Sequence, residues 1–159
     1  MSGPAKSFAE IFNSGSWERM QQFTDGTLLE DDGTTFRIHK VVLSPRSGYL
    51  HALFSSNLNQ ETVAIPNIGR KILESILSYI YTGIIEVDEK NACDLMIAPD
   101  YLLVDDLLKI CGSFAIQNLT CTNCLLYLTV AWQINRLAIK DDCYRYALVH
   151  FEDIWLLTN

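Results

Sequence analysis

The sequence has no long hydrophobic run, no basic stripe and no enzyme signature. Its longest apolar stretches are a few residues, far short of the roughly 20 that cross a bilayer, and the N-terminal MSGPAKSFAEIF lacks the uncharged apolar core of a secretory signal. No membrane association is expected, and the location read from this is intracellular, in the cytoplasm or the nucleus. Twelve Lys and Arg against nineteen Asp and Glu give a formal charge of -7, with no basic stripe alternating with aromatics. Phosphate neutralisation supplies most nucleic-acid affinity, so no nucleic-acid partner is expected. Also missing are the GxSxG elbow, the phosphate-cradling GxxxxGK[ST], the dinucleotide GxGxxG and HExxH. His39, His51 and His150 are far apart, with no pair at helical ligand spacing. The expectation is a non-catalytic chain with no cofactor and no resident metal.

What is present describes a folded α+β domain. At 159 residues, 49% of them hydrophobic, with seven Phe, seven Tyr and three Trp, the chain can bury a core without disulfides. Phe8, Ile11, Phe12, Met20 and Phe23 recur at three- and four-residue spacings, which predicts an imperfect amphipathic helix over 8–23. TLLEDDGTTFRIH reads as a hairpin, because Asp32-Gly33 is the turn chemistry that right-twisted strands favour. From His39 the pattern changes to Val41, Val42 and Leu43, then Tyr49, Leu50, Leu53 and Phe54, with Pro45 near the start of a second helix, and a strand TVAI follows, stopped by Pro66. Ile72, Leu73, Ile76, Leu77 and Ile80 form a helical stripe closed by Gly83. IIEV, residues 84–87, is a further strand candidate, and two helices are expected between Asp88 and Ile110, meeting near Pro99 to Asp106. Two more follow, over 122–132 and 139–151, with Cys143, Ala147, His150 and Ile154 on one face.

The five cysteines are odd in number and three sit in apolar helical patterns, so they read as reduced and mostly buried. Cys121-Thr-Asn-Cys124 has the spacing of a metal or redox pair. A zinc site needs a second ligand pair, which the spacing of the other Cys and His does not offer, and a thioredoxin-type pair wants a preceding strand. Structural cysteines are the favoured reading, with a small redox or metal enzyme as the alternative. Asn118-Leu119-Thr120 matches the glycosylation sequon but has no secretory context.

Three ordered blocks resemble one family. His39-Lys40, Val42-Leu43-Ser44, Ser47, Tyr49-Leu50 and Leu53-Phe54 are similar to the H-K-x-V-L-S-x-x-S-x-Y-[FL]-x-x-[LM]-F core of BTB/POZ domains. Ile80-Tyr81-Thr82-Gly83 followed by Asn91 resembles the family's Y-I-Y-T-G segment. Cys111, Phe114, Asn123-Cys124-Leu125 and Cys143 resemble the start of the BACK region of BTB-Kelch proteins, where Asn-Cys-Leu opens a helix. The resemblance implies a short β-sheet flanked by a helical cluster, with a BTB/POZ domain over 8–120 and 3-box helices with the start of BACK over 121–159.

It further implies a homodimeric substrate adaptor of a Cullin-3 RING E3 ubiquitin ligase, its substrate held by a module, often a kelch propeller, that this chain does not carry. By that resemblance Phe54, Asn57, Leu58, Gln60, Glu61, Tyr101 and Leu125 would face Cullin-3. Phe8, Ile11, Phe12, Asp25 and Lys40 would lie at the dimer interface, the last two as a charged pair at its centre. The family's hydrophobic-x-Glu motif is matched by Leu58-Asn59-Gln60, with Gln where Glu is usual and Glu61 one place later. Pro99 stands where the family often has Ala, and a proline inside a helix is expected to break or kink it. The alternative is a dimerisation scaffold, transcriptional or cytoskeletal, with weak or no Cullin-3 binding.

Overall fold

The computed structural model describes residues 21–158. Phe8, Ile11 and Phe12, and the helix expected around them, lie outside the described residues; Gln21–Phe23 form a single 3-10 turn. The described chain divides into two compact units, one comprising the residues up to Glu86 together with Leu102–Val104, the other Val87–Tyr101 and Asp105 onward.

The first unit is built on a three-stranded sheet of order β2-β1-β3, formed by β1 (Gly26–Glu30), β2 (Thr35–Ile38) and β3 (Thr62–Ile65). β1 and β2 form the expected hairpin, antiparallel with Leu28 opposite Phe36. Its turn is closed by Asp32 Oδ1, which accepts the Thr34 N–H at 2.6 Å, and by Gly33 at a φ of 85° that a side chain would resist. β1 runs parallel to β3 with Leu28 opposite Val63. Alternate residues of β1 point inward, and Leu28, Ile38, Val63 and Ile65 are buried.

Two helices connect β2 to β3, α1 (Lys40–Leu43) and α2 (Gly48–Ser56). The apolar pattern from Val41 to Phe54 is divided between the two, and Pro45 lies in the turn between them, three residues ahead of the start of α2, near a helix start as expected. Ser47 sets the exact start: its Oγ accepts the Leu50 N–H at 3.1 Å and donates to the Leu102 carbonyl at 2.6 Å, so the longer helix begins after Ser47. α3 (Arg70–Thr82) buries Leu73, Ile76, Leu77 and Ile80 and ends at Gly83 with a φ of 75°, as expected. IIEV is not a strand. Residues 84–87 are irregular: β-branched composition makes a strand only where an edge pairs with it, and neither outer strand of the described sheet pairs with this segment.

Glu30 ends β1 buried, with Oε2 unpartnered among the described residues. Burial, then hydrogen bonding to Asp32 and the charges of Asp32 and Asp31, push its carboxyl above the usual range. The folded state thus disfavours the charged form, and stability present at low pH is lost as pH rises through the raised value. Glu30→Gln is expected to raise the urea midpoint at pH 7 and to flatten its dependence on pH between 4 and 7.

The second unit is helical: α4 (Asp94–Tyr101), α5 (Asp105–Gln117), α6 (Cys124–Gln133), α7 (Leu137–Val149) and α8 (Phe151–Thr158). Pro99 lies inside α4 without ending it. The helix stops two residues later, so the proline removes one backbone bond at its end rather than dividing a long helix. The helix expected over 139–151 is also revised. It breaks at His150, where the chain restarts as α8, and Ile154 is buried on that second helix.

Arg136, which carries no motif, organises this unit. Its Nε and Nη2 donate to Asp100 Oδ1 at 3.1 and 2.8 Å, and Nη2 reaches Asp105 Oδ1 at 3.3 Å, tying the α6–α7 turn to the end of α4 and the start of α5. Beside it, the buried Lys140 donates to Asn135 Oδ1 at 2.8 Å with its ammonium 4.1 Å from the Trp132 ring centroid. No helix among the described residues is long and apolar enough to cross a membrane.

Candidate functional site

The polar stretch after α2 is held by hydrogen bonds to its main chain. Asn57 caps the helix, its Nδ2 donating to the Leu53 carbonyl at 2.8 Å, and the Gln60 N–H closes a turn onto the Asn57 carbonyl at 3.0 Å. Lys40 Nζ donates to the Gln60 carbonyl at 3.1 Å, and the Thr27 N–H donates to the Glu61 carbonyl at 2.8 Å, joining the segment to β1. With the main chain so occupied, the side chains of Leu58, Asn59, Gln60 and Glu61 face solvent, and Leu58 is 79% exposed. A single exposed leucine is ordinary; one on a hydrogen-bonded turn, ringed by polar groups, has the geometry of a binding anchor. Phe54 is different. At 5% exposure its ring belongs to the core, which leaves little of it to face a partner as expected.

Asp25 and Lys40 do meet, though not as paired charges. Asp25 Oδ1 accepts the Lys40 backbone N–H at 2.7 Å, capping the start of α1, while the ammonium goes to the Gln60 carbonyl. Next to them His39 is buried: its N–H donates to Tyr81 Oη at 2.9 Å, and its Nδ1 shares a 3.1 Å hydrogen bond with the same oxygen. Burial pushes the Tyr81 hydroxyl up to about 12. Two residues of different sequence blocks thus form one internal contact.

In the second unit, Tyr101 ends α4 at 40% exposure and Leu125 stands in the first turn of α6 at 45%. The turn before α6 is fixed reciprocally, Asn123 Oδ1 accepting the Thr120 N–H at 2.8 Å and Thr120 Oγ1 accepting the Asn123 N–H at 3.3 Å. The threonine of the sequon is thereby used as a cap. Cys124 is buried and its thiol is pushed upward by that burial, which opposes the low-pKa thiolate a redox pair requires. Cys111 and Cys143 are buried too, with thiols raised to about 12 and about 11. Cys121 is only half-buried, and the break at His150 brings His150 and Asp153 to it, their ligand atoms all within 4.8 Å of one another. Sequence spacing gave no sign of this grouping, since it depends on how α6, α7 and α8 pack.

Known proteins agree with the geometry. Residues 15–119 match the BTB/POZ domain family. Human Kelch-like protein 25 is 36% identical over 138 residues, covering 83% of this chain and 23% of that protein. Kelch repeat and BTB domain-containing protein 2 of Pongo abelii is 31% identical over 152 residues, 87% of this chain and 24% of that protein. The chain therefore spans about a quarter of the length of these relatives. Among solved structures, the BTB domain of human gigaxonin aligns with a TM-score of 0.60 at 27% identity, over 72% of this chain and 98% of that one. The BTB domain of zebrafish PATZ1 gives 0.61 at 26% identity, over 74% and 100%. The chain is a member of the BTB/POZ family, and Kelch-like proteins are among its relatives.

Proposed function

We propose that this chain is the BTB and 3-box portion of a homodimeric substrate adaptor for a Cullin-3 RING E3 ubiquitin ligase. It works in the cytoplasm or nucleus, contributes no catalytic group and leaves substrate capture to a module outside the chain. The observation that carries the reading is Leu58, exposed on a turn whose main chain is held by Asn57, Lys40 and Thr27. A fixed apolar anchor with polar neighbours is what a partner's pocket requires, since a few such residues dominate affinity. Asn57, Gln60 and Glu61 supply the polar surround in the first unit; Tyr101 and Leu125 are further contact residues in the second. The Kelch-like relatives support the adaptor role, and Asp25 and Lys40 are the described residues proposed for the dimer. Calorimetry of the purified chain with the Cullin-3 N-terminal domain tests it: saturable binding at tens of micromolar or tighter is expected, and no heat in that range would sink the proposal.

A second reading, a dimerisation scaffold with weakened Cullin-3 affinity, is favoured by one residue. Gln60 replaces the family's glutamate, and its exposed amide lacks the charge that makes such hydrogen bonds roughly twice as strong. Gln60→Glu is expected to tighten Cullin-3 binding about tenfold, or about 1.4 kcal/mol. Unchanged affinity would mean that Glu61 already serves or that position 60 makes no contact.

A further inference from the structure

Cys121, His150 and Asp153 come from three places in the second unit: the turn before α6, the end of α7 and the first turn of α8. Each is set by local bonds. The Thr120–Asn123 exchange fixes the turn that carries Cys121. The His150 N–H donates to the Tyr146 carbonyl at 3.1 Å, and the His150 carbonyl accepts the Ile154 N–H at 3.0 Å, so His150 and Asp153 sit one helical turn apart. The buried Ile154 pins that turn. The imidazole lies on the Tyr146 ring, centroids 4.4 Å apart at 31°. These outer contacts restrict how the three groups can point, as they do around bound metals.

We propose that Cys121, His150 and Asp153 form a site for a borderline divalent metal such as zinc. The donor set is one thiolate, one imidazole and one carboxylate, which suits a borderline ion; calcium and magnesium prefer all-oxygen surroundings. Zinc bonds of about 2.0–2.3 Å place the ligand atoms of a tetrahedral shell about 3.3–3.7 Å apart. His150 Nδ1 and Asp153 Oδ2 already stand 3.7 Å apart, and the whole set lies within 4.8 Å, so closure needs side-chain adjustments of about an ångström. On binding, the Cys121 thiol loses its proton to solvent and the sulfur takes up the metal bond. The fourth position is open to water. The metal would join the start of α6 to the α7–α8 junction, and it uses none of the residues proposed for Cullin-3.

The reduced, metal-stripped chain titrated with Co²⁺ tests this, because thiolate ligation produces a sulfur-to-cobalt charge-transfer absorption. One Co²⁺ per chain is expected, displaced by Zn²⁺, with a Zn²⁺-dependent rise in unfolding midpoint. Cys121→Ser should abolish the absorption. Asp153→Asn, at an exposed position, should weaken Co²⁺ at least tenfold while lowering the metal-free unfolding midpoint only by the small amount an exposed helix-start carboxylate is worth, so it remains decisive if the cysteine variant folds poorly. No charge-transfer absorption at tenfold molar excess of Co²⁺, or full affinity kept by Asp153→Asn, would overturn the site.

Discussion

Leu58→Asp is expected to weaken binding of the Cullin-3 N-terminal domain at least about thirtyfold, or about 2 kcal/mol. Truncating a central anchor costs about that much, and an aspartate also carries a charge that an apolar pocket cannot solvate. The fold should not notice. Leu58 is 79% exposed, and its neighbours are held by main-chain bonds that the substitution leaves intact, so the unfolding midpoint should stay within about 0.5 kcal/mol of the parent. Asn59→Asp is the control: it adds the same charge one residue away and keeps the leucine. Calorimetry on both separates a lost anchor from general repulsion. If Leu58→Asp binds as tightly as the parent, the turn is not the contact.

The sequence discloses this turn unevenly. Its polar composition and lone leucine are plain, and the family resemblance singles them out, yet the sequence places Phe54 beside Leu58 as a second contact residue. Burial distinguishes them, and burial depends on residues far away in the chain. The hairpin is legible for the opposite reason: Asp32, Gly33 and Thr34 settle it among themselves. IIEV has the composition of a strand but depends on a partner edge, which no local pattern can supply. Pro45 signals the start of α2 to within three residues, and the exact start depends on Ser47, which caps the helix and also bonds to a carbonyl 55 positions away.

The same logic explains what the second unit concealed. The apolar face through Cys143, Ala147, His150 and Ile154 reads as one helix, and both Cys143 and Ile154 are indeed buried. Only the break at His150 turns the imidazole and Asp153 toward Cys121. A ligand search based on paired spacings finds Cys121 with Cys124, whereas packing buries Cys124 and leaves Cys121 half-exposed. Arg136 was silent for a related reason: its two aspartates lie 36 and 31 positions away.

Tyr81→Phe is expected to destabilise the fold by about 2–3 kcal/mol, read as a lower urea midpoint with an unchanged slope. The substitution keeps the ring, 5.9 Å from the His39 ring in an edge-on arrangement, and removes only the oxygen. That oxygen accepts the His39 N–H and shares a bond with Nδ1, both buried, and a buried donor that loses its acceptor costs about 1–3 kcal/mol. The pH dependence separates this loss from simple packing damage. The Tyr81 hydroxyl is raised by burial from 10.0 to about 12, so the stability it carries is whole below pH 10. Between 10 and about 12 the unfolded chain ionises while the folded one resists, and that stability is lost as pH rises. The gap between parent and Tyr81→Phe should therefore shrink across this window. A gap that stays constant from pH 8 to 12 would mean that the hydroxyl contributes no titratable stability. A gap near zero at pH 8 would mean that the His39–Tyr81 bonds are worth no more than the water they replace.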